Sequence, residues 1–303
     1  MKMPLKLSLL SILLTFSVCS QSWYQIQDFP GTRRDDGTSF TIGSSTYCGT
    51  GLTPWWTSLD DFHSLDMTTD SWSTISSLPL GMERQYASGF SSSSKGYIFG
   101  GFDDGNFLND LWQYDPTLDQ WIEKTTLPSI GRSGCTSFVI GNNAYIIGGK
   151  TIDDFAINEV WQYSMLLDTW NQLGDFPFDS LWRASGTAIN GTGYLVFGRN
   201  NQDNYQNDLY SFDPSLDSWT PISNFPNAGR SHSQLINLQT DLFLIGGVDS
   251  LNVYYNDLWQ YEISSDSWIQ LNSIPSTGRR AGIAFHSGIS IYYTTGLDEN
   301  GDR

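Results

Sequence analysis

Residues Arg132–Trp170 read RSGCTSFVIGNNAYIIGGKTIDDFAINEVWQYSMLLDTW. Arg132 to Ile140 is a short segment rich in small, β-branched and apolar residues, and it ends at Gly141-Asn142-Asn143, a tight-turn signal. Ala144–Ile147 is a second apolar run, stopped by Gly148-Gly149. After a polar loop, Asn158–Tyr163 alternates polar and apolar as a half-buried strand does. Asp168-Thr169 turns into a fourth segment at Trp170, and Pro177 closes the unit because proline cannot continue a ladder. Four short strands joined by tight turns make one small antiparallel sheet.

The unit recurs. Trp23, Trp72, Trp121, Trp170, Trp219 and Trp268 are spaced 49 residues apart. Each is followed by a proline: Pro30, Pro79, Pro128, Pro177, Pro226 and Pro275. Gly-Gly returns at Gly100-Gly101 and Gly246-Gly247, and Asp-x-Trp begins at Asp70, Asp119, Asp168, Asp217 and Asp266. Asn-Asp appears at Asn109-Asp110, Asn207-Asp208 and Asn256-Asp257, and Tyr/Phe-Asp-Pro at Tyr114–Pro116 and Phe212–Pro214. Thr50-Gly51, Gly198-Arg199 and Thr295-Gly296 keep one glycine of the pair; at Gly198-Arg199 the second is read as lost. A fixed period of this length means one unit copied around or along an axis.

In-phase double glycines, Tyr-Asp-Pro and a trailing tryptophan make the chain resemble the Kelch-repeat family. The resemblance implies an all-β, six-bladed β-propeller of four-stranded antiparallel blades. One such sheet cannot bury both faces, so it packs on its neighbours, with the tryptophans between blades. The repeats run over about 34–72, 84–121, 132–170, 183–219 and 230–268, and residues 279–303 open a sixth. Residues 21–28 read as the fourth strand of that last blade, clasping the ring closed and removing exposed edges. The sixth blade then has three strands, or the chain is a truncated product.

Residues 1–20 have a basic start, an apolar run from Leu7 to Val18 and a small-residue end, the pattern of a secretory signal. Residues 21–303 form a single domain. Secretion or export to the periplasm or cell surface is expected, with lipidation at Cys19 as an alternative. The run is too short for a comfortable membrane span. Cys48 and Cys135 fall at different places in non-adjacent repeats, so no bridge is expected and the core must hold the fold. A formal charge of −17 argues against nucleic acid and anionic membrane surfaces.

Six arginines stand before the first strand of successive repeats: Arg34, Arg84, Arg132, Arg183, Arg230 and Arg279. First strands are innermost in Kelch-like propellers, so these residues should ring one end of the channel. One reading is an anion site, because guanidinium forks bind carboxylates bidentately and a concave rim focuses the field. The other is a brace, each arginine pairing with an acidic loop residue or with backbone carbonyls. The loops between second and third strands carry Trp55, Trp56, Phe102, Phe107, Phe155, Tyr205, Tyr254 and Tyr255, suited to recognition or to packing over the blades.

Catalytic signals are thin. His63, His232 and His286 show no metal-ligand spacing, so no metal and no cofactor is expected. Galactose oxidase has a Kelch-like propeller, but its copper ligand set has no counterpart here, and that activity is not carried over. His232 and Glu83 form a weak acid–base candidate beside Arg230 and Arg84. The sequence therefore reads as a non-catalytic, monomeric binding module for a protein or acidic glycan at one propeller face. A sialic acid mutarotase-like enzyme and a part of a cell-surface assembly are the alternatives.

Overall fold

The computed structural model describes residues 22–303; the signal segment and Cys19 lie outside the described residues. Five four-stranded antiparallel sheets follow one another, each in simple up-and-down order. Their first strands are Thr38–Ile42, Ser88–Ser91, Thr136–Ile140, Ser185–Ile189 and Gln234–Leu238. Each packs against the next at the centre of the molecule, and the strands step outward from there. A short ladder also joins Arg279–Arg280 to Leu297–Asp298, and the helix count among the described residues is zero.

The number of complete blades is five, not the six expected. The sixth station holds a hairpin, Ile283–Ser287 with Ser290–Thr294. Its first strand packs between Gln234–Leu238 on one side and Thr38–Ile42 on the other, so the wheel still closes. Residues 22–30 form no ladder, yet they occupy the fourth-strand place of this station. The indoles of Trp72, Trp121 and Trp170 donate to the carbonyls of Gln27, Ser76 and Thr125, each 45 residues earlier. Trp23 makes the equivalent bond around the seam, to the Asn272 carbonyl at 2.9 Å. The expected clasp is therefore present as side-chain packing, without the expected strand pairing.

Two closed circuits of backbone hydrogen bonds explain the in-phase motifs. In the inner one, each amide donates to the carbonyl of the equivalent residue in the preceding station. Tyr86 donates to Asp36, Gly134 to Tyr86, Arg183 to Gly134, His232 to Arg183, Ala281 to His232, and Asp36 to Ala281. All six residues have left-handed backbone, with φ between 55° and 63°. In the outer circuit the second residue of each Gly-Gly position donates to the next station's chain: Gly51 to Arg84, Gly149 to Leu181, Gly296 to Arg34.

That second position is glycine in all six stations. A Cβ on Gly149 would stand 2.5 Å from the Cys135 sulfur, and one on Gly51 2.6 Å from the Asp35 carbonyl. The first position also has positive φ, and a Cβ on Gly148 would stand 2.3 Å from the Leu181 carbonyl, yet Thr50, Phe197 and Thr295 are accepted there in other stations. Gly198 is thus the second glycine of its pair, and the residue lost in that blade is the first, contrary to the sequence reading.

Inter-blade layers are aromatic and closely packed. Phe90, Tyr97 and Phe99 of one blade meet Trp161 and Tyr163 of the next, with Trp170 at the edge. Phe138, Tyr145, Phe212 and Trp219 repeat the arrangement one blade on. The repeat tryptophans are core-edge residues, as read from the sequence.

Candidate functional site at the hub

Four of the six arginines are braces. Arg34, Arg84, Arg132 and Arg230 are wholly buried. Each guanidinium meets a carboxylate that immediately precedes the third-strand ladder or lies within that strand: Asp61, Asp110, Glu159 and Asp257. The Arg84 fork donates to both Asp110 oxygens, at 2.7 and 2.8 Å, and to the Gly100 carbonyl at 3.1 Å. Arg230 repeats this on Asp257 at 2.6 Å for both contacts. Trp112, Trp161 and Trp259 add an indole N–H to the same carboxylates, each at 2.7 Å. Burial works against ionisation of Asp61, but hydrogen bonds from His63 and Arg34 outweigh it and hold the acid well below the ordinary carboxylate range. Each is paired with its carboxylate and has no exposed surface, although Arg132 Nη1 and Arg230 Nε find no partner among the described residues, so these arginines tie strand three to strand one inside a blade.

Arg279 is only half a brace. It donates to the Gly296 carbonyl at 2.8 Å and forms no ion pair within 4 Å among the described residues, though, against burial, its charge helps lower the Asp298 carboxyl.

Arg183 is not a brace at all. A step of 49 residues from Arg132 reaches Leu181, which is buried in the core where the other blades place arginine. Arg183 falls two positions later, in the inner circuit, together with Asp36, Tyr86, Gly134, His232 and Ala281. These residues line a central depression that is open to solvent. The tight six-membered circuit forces the side chains inward at successive stations, which is how distant repeats deliver chemistry to one point.

The site is built from unlike groups at equivalent positions. Arg183 and His232 are in contact through a guanidinium nitrogen and Nε2. A nitrogen of Arg280 lies 3.4 Å from the same Nε2, and Ser231 Oγ lies 2.8 Å from Nδ1. Burial first, then the neighbouring cations Arg183, Arg280 and Arg199, keep His232 neutral well below its usual titration range. Burial also pushes Asp36 up to about 7, although Arg183, Arg280 and a Tyr86 hydrogen bond favour its charged form. The Arg183 guanidinium lies over the Tyr86 and Trp182 rings, at 4.1 and 4.2 Å from their centroids. Unlike the braces, neither Arg183 nor Arg280 forms an ion pair within 4 Å among the described residues.

The rim carries more positive charge. Trp182 is also covered by Lys150 at 4.6 Å and Arg199 at 4.7 Å. Their carboxylate partners, Asp154 and Asp203, have side chains 83% and 74% exposed, so these pairs are weak and exchangeable. Arg303 binds Asp35 at 2.5 Å and faces Trp56. Of the loop aromatics, Trp55, Trp56 and Phe155 are exposed, whereas Phe102 and Phe107 pack edge to face and Tyr255 covers Arg230.

Among the sequence candidates, the hub gathers His232 and Arg183. Glu83 is not with them: it stands in the connection before Arg84, beside Asp60, and its charge helps raise that carboxyl after burial does. Asp36, Tyr86 and Arg280 escaped the sequence reading. Counting 49 residues from Gly134 through Arg183 to His232 and Ala281 would have shown four of the circuit's positions, but Tyr86 lies 48 residues before Gly134 and Asp36 another 50 before that, out of step with the count.

The KLHDC2/KLHL20/DRC7 Kelch-repeats domain matches residues 7–176. The Attractin/LZTR1 beta-propeller matches residues 122–294. Comparison with curated proteins gives no match. A solved structure titled "Structure of YjhT" superposes with a TM-score of 0.79, covering 91% of this chain and 94% of that one at 17% identity, a likeness of fold alone. With each family description matching more than half its length, the chain belongs to the Kelch-repeat β-propeller family.

Proposed function

We propose that the protein is an exported binding module that takes a carboxylate-bearing ligand, such as an acidic sugar, at the mouth of its hub. The observation that carries this reading is the contrast between two kinds of arginine. Four are paired with carboxylates and buried, while Arg183 and Arg280 converge on a neutral imidazole with no ion pair within 4 Å among the described residues, their acidic neighbour Asp36 being raised to about 7 by burial. A ligand carboxylate would supply the missing charge, and guanidinium is the group suited to receive it bidentately. The cations around Trp182 extend the attraction outward, on a chain whose overall charge of −17 repels anions elsewhere. Export rests on the sequence of residues 1–20.

A second reading has one specific support. His232 is neutral, and Asp36, raised to about 7, holds a proton near neutral pH. Opening a cyclic hemiketal needs one group to take the anomeric hydroxyl proton and another to protonate the ring oxygen. Asp36 and His232 would fill those roles in a mutarotase for an acidic sugar, with Arg183 as the carboxylate clamp.

Proton NMR on N-acetylneuraminate and glucuronate separates the readings. Saturation transfer lost in Arg183→Ala, with no faster anomer exchange in the unmodified protein, supports binding alone. Accelerated exchange that His232→Asn abolishes while saturation transfer persists supports the enzyme. No saturation transfer from any carboxylated sugar or acidic peptide defeats both.

A further inference from the structure

Lys150 and Arg199 break a pattern that runs around the face of the hub. In each complete blade, the residue after the double-glycine position pairs with the residue just before the inner circuit. Leu52 pairs with Asp35, Phe102 with Gln85, Lys150 with Ser133, Arg199 with Trp182, and Val248 with Ser231. Three of these outer residues are apolar. The two cations stand at equivalent places in adjacent blades, three and four, and both turn to the same neighbour of the hub. The Trp182 ring centroid lies 4.2 Å from the Arg183 guanidinium carbon, 4.6 Å from Lys150 Nζ and 4.7 Å from the Arg199 guanidinium carbon.

Three positive groups thus share one indole, whose electron-rich face offsets part of their repulsion. Arg183 Nε and Arg199 Nε are buried and have no hydrogen-bond partner among the described residues. Lys150 and Arg199 are paired with Asp154 and Asp203, but those carboxylates lie largely in solvent and yield readily to a ligand anion. The spacing of the two cations is set in advance. Asn201 of blade four accepts from the Ala156 amide at 2.6 Å and donates to the Ala156 carbonyl at 2.9 Å and to Ser180 Oγ at 3.0 Å. Ala156 is the residue that bridges to Lys150, and Tyr205, which bridges to Arg199, also accepts from its Nη1 at 3.2 Å. The segments that carry the cations are therefore tied to each other, and little ordering is left for a ligand to impose. Tyr205, Ser180 and Asn201 bring hydroxyl and amide groups to the same place, the partners that suit a hydroxyl-rich ligand.

We infer that Lys150 and Arg199 form a second carboxylate subsite beside the hub, and that the ligand is an acidic oligosaccharide with uronic acid units in succession. One carboxylate meets Arg183 and Arg280 at the hub, and that of the next unit displaces Asp154 and Asp203 from Lys150 and Arg199. Because the cations share one ring, adjacent units of a sugar chain reach from one subsite to the other. The inference rests on the hub reading and narrows it, since a single acidic sugar fills only the inner subsite.

The test is calorimetry of the full chain with galacturonate, digalacturonate and a Glu-Glu dipeptide at one ionic strength. Digalacturonate should bind about tenfold more tightly than galacturonate, the worth of one added charge-assisted contact. In Lys150→Gln and in Arg199→Gln that ratio should fall to about two, the advantage of simply carrying two carboxylates. Lys124→Gln removes the same charge from an outermost strand, where Lys124 pairs with Asp168, and should leave the ratio at its original value. Galacturonate that binds no more weakly than digalacturonate overturns the second subsite and leaves the hub reading standing. A tenfold ratio that survives both Lys150→Gln and Arg199→Gln overturns the assignment of the residues. A dipeptide that binds as tightly as digalacturonate overturns the sugar class, and failure of both sugars to bind defeats the hub reading together with this one.

Discussion

A buried guanidinium without its carboxylate is one of the costlier defects a folded chain can carry. Breaking a buried pair by removing one partner typically costs about 3–5 kcal/mol. Asp110→Ala and Asp257→Ala should each lower the melting midpoint strongly, and since their arginines do not face the hub, sugar binding should survive wherever the fold does. Thermal melts with binding assays below the midpoint check both halves. The braces also set an acid limit. The Asp61 and Glu159 carboxyls are held below their ordinary range, so the stability they supply is present above the unfolded pKa and is lost as pH falls through the folded one.

Asp36 has the opposite sign. Its folded value of about 7 lies above the unfolded value of 3.8, so its contribution is fully present below pH 3.8 and is lost as pH rises from there through 7. Asp36→Asn should flatten the decline in melting midpoint across that window. An unchanged slope would mean that the carboxyl is not the group responsible.

At the scale of the elements, left-handed backbone recurs at fixed places and decides which residues each position tolerates. The inner circuit needs φ near +60° at every station, yet only Gly134 is glycine there. A non-glycine residue in that region costs about 1–2 kcal/mol. Ala281→Gly should therefore raise stability by about 1 kcal/mol, and Gly134→Ala should lower it by a similar amount, as a Cβ there would also approach Arg183 at 3.2 Å. Chemical denaturation at fixed pH measures both. That strained residues such as Asp36, Tyr86, Arg183 and His232 persist at this circuit fits its role as the site, where backbone strain is commonly kept.

The strands, turns and inter-blade tryptophans were legible in the sequence because each rests on local chemistry repeated in phase. The braces were half legible. The arginines stood out, but their carboxylates lie 26–27 residues away on another strand, and only the sheet register brings them together. Grouping Arg183 with the other arginines that stand before a first strand hid the change in blade four; the tryptophan period places Leu181 at the brace and Arg183 at the hub. Asp36 and Tyr86 were unreadable singly, since equivalent positions carrying unlike residues leave no motif.

At the scale of the whole molecule, six stations of backbone hydrogen bonds close a wheel that has five complete blades. The seam rests on the hairpin Ile283–Thr294, on Trp23, and on Ile26 and Phe29 packed against Trp72 and Tyr292. Replacing Trp23 by Ala should cost about 2–3 kcal/mol, somewhat less than a fully buried tryptophan, and should raise hydrogen exchange first at the Asp36 and Ala281 amides that join the seam. Exchange rising evenly around the ring would place the weak point elsewhere.

The division of labour among the arginines is tested most directly by isothermal titration of one carboxylated sugar that binds the unmodified chain, into Arg183→Gln and Arg132→Gln, with a melting curve for each. Arg183→Gln should lose binding and keep its melting midpoint within a few degrees, while Arg132→Gln should keep binding and melt far lower. Binding retained in Arg183→Gln, or lost in a folded Arg132→Gln, would contradict a hub site built by the arginine that left the brace.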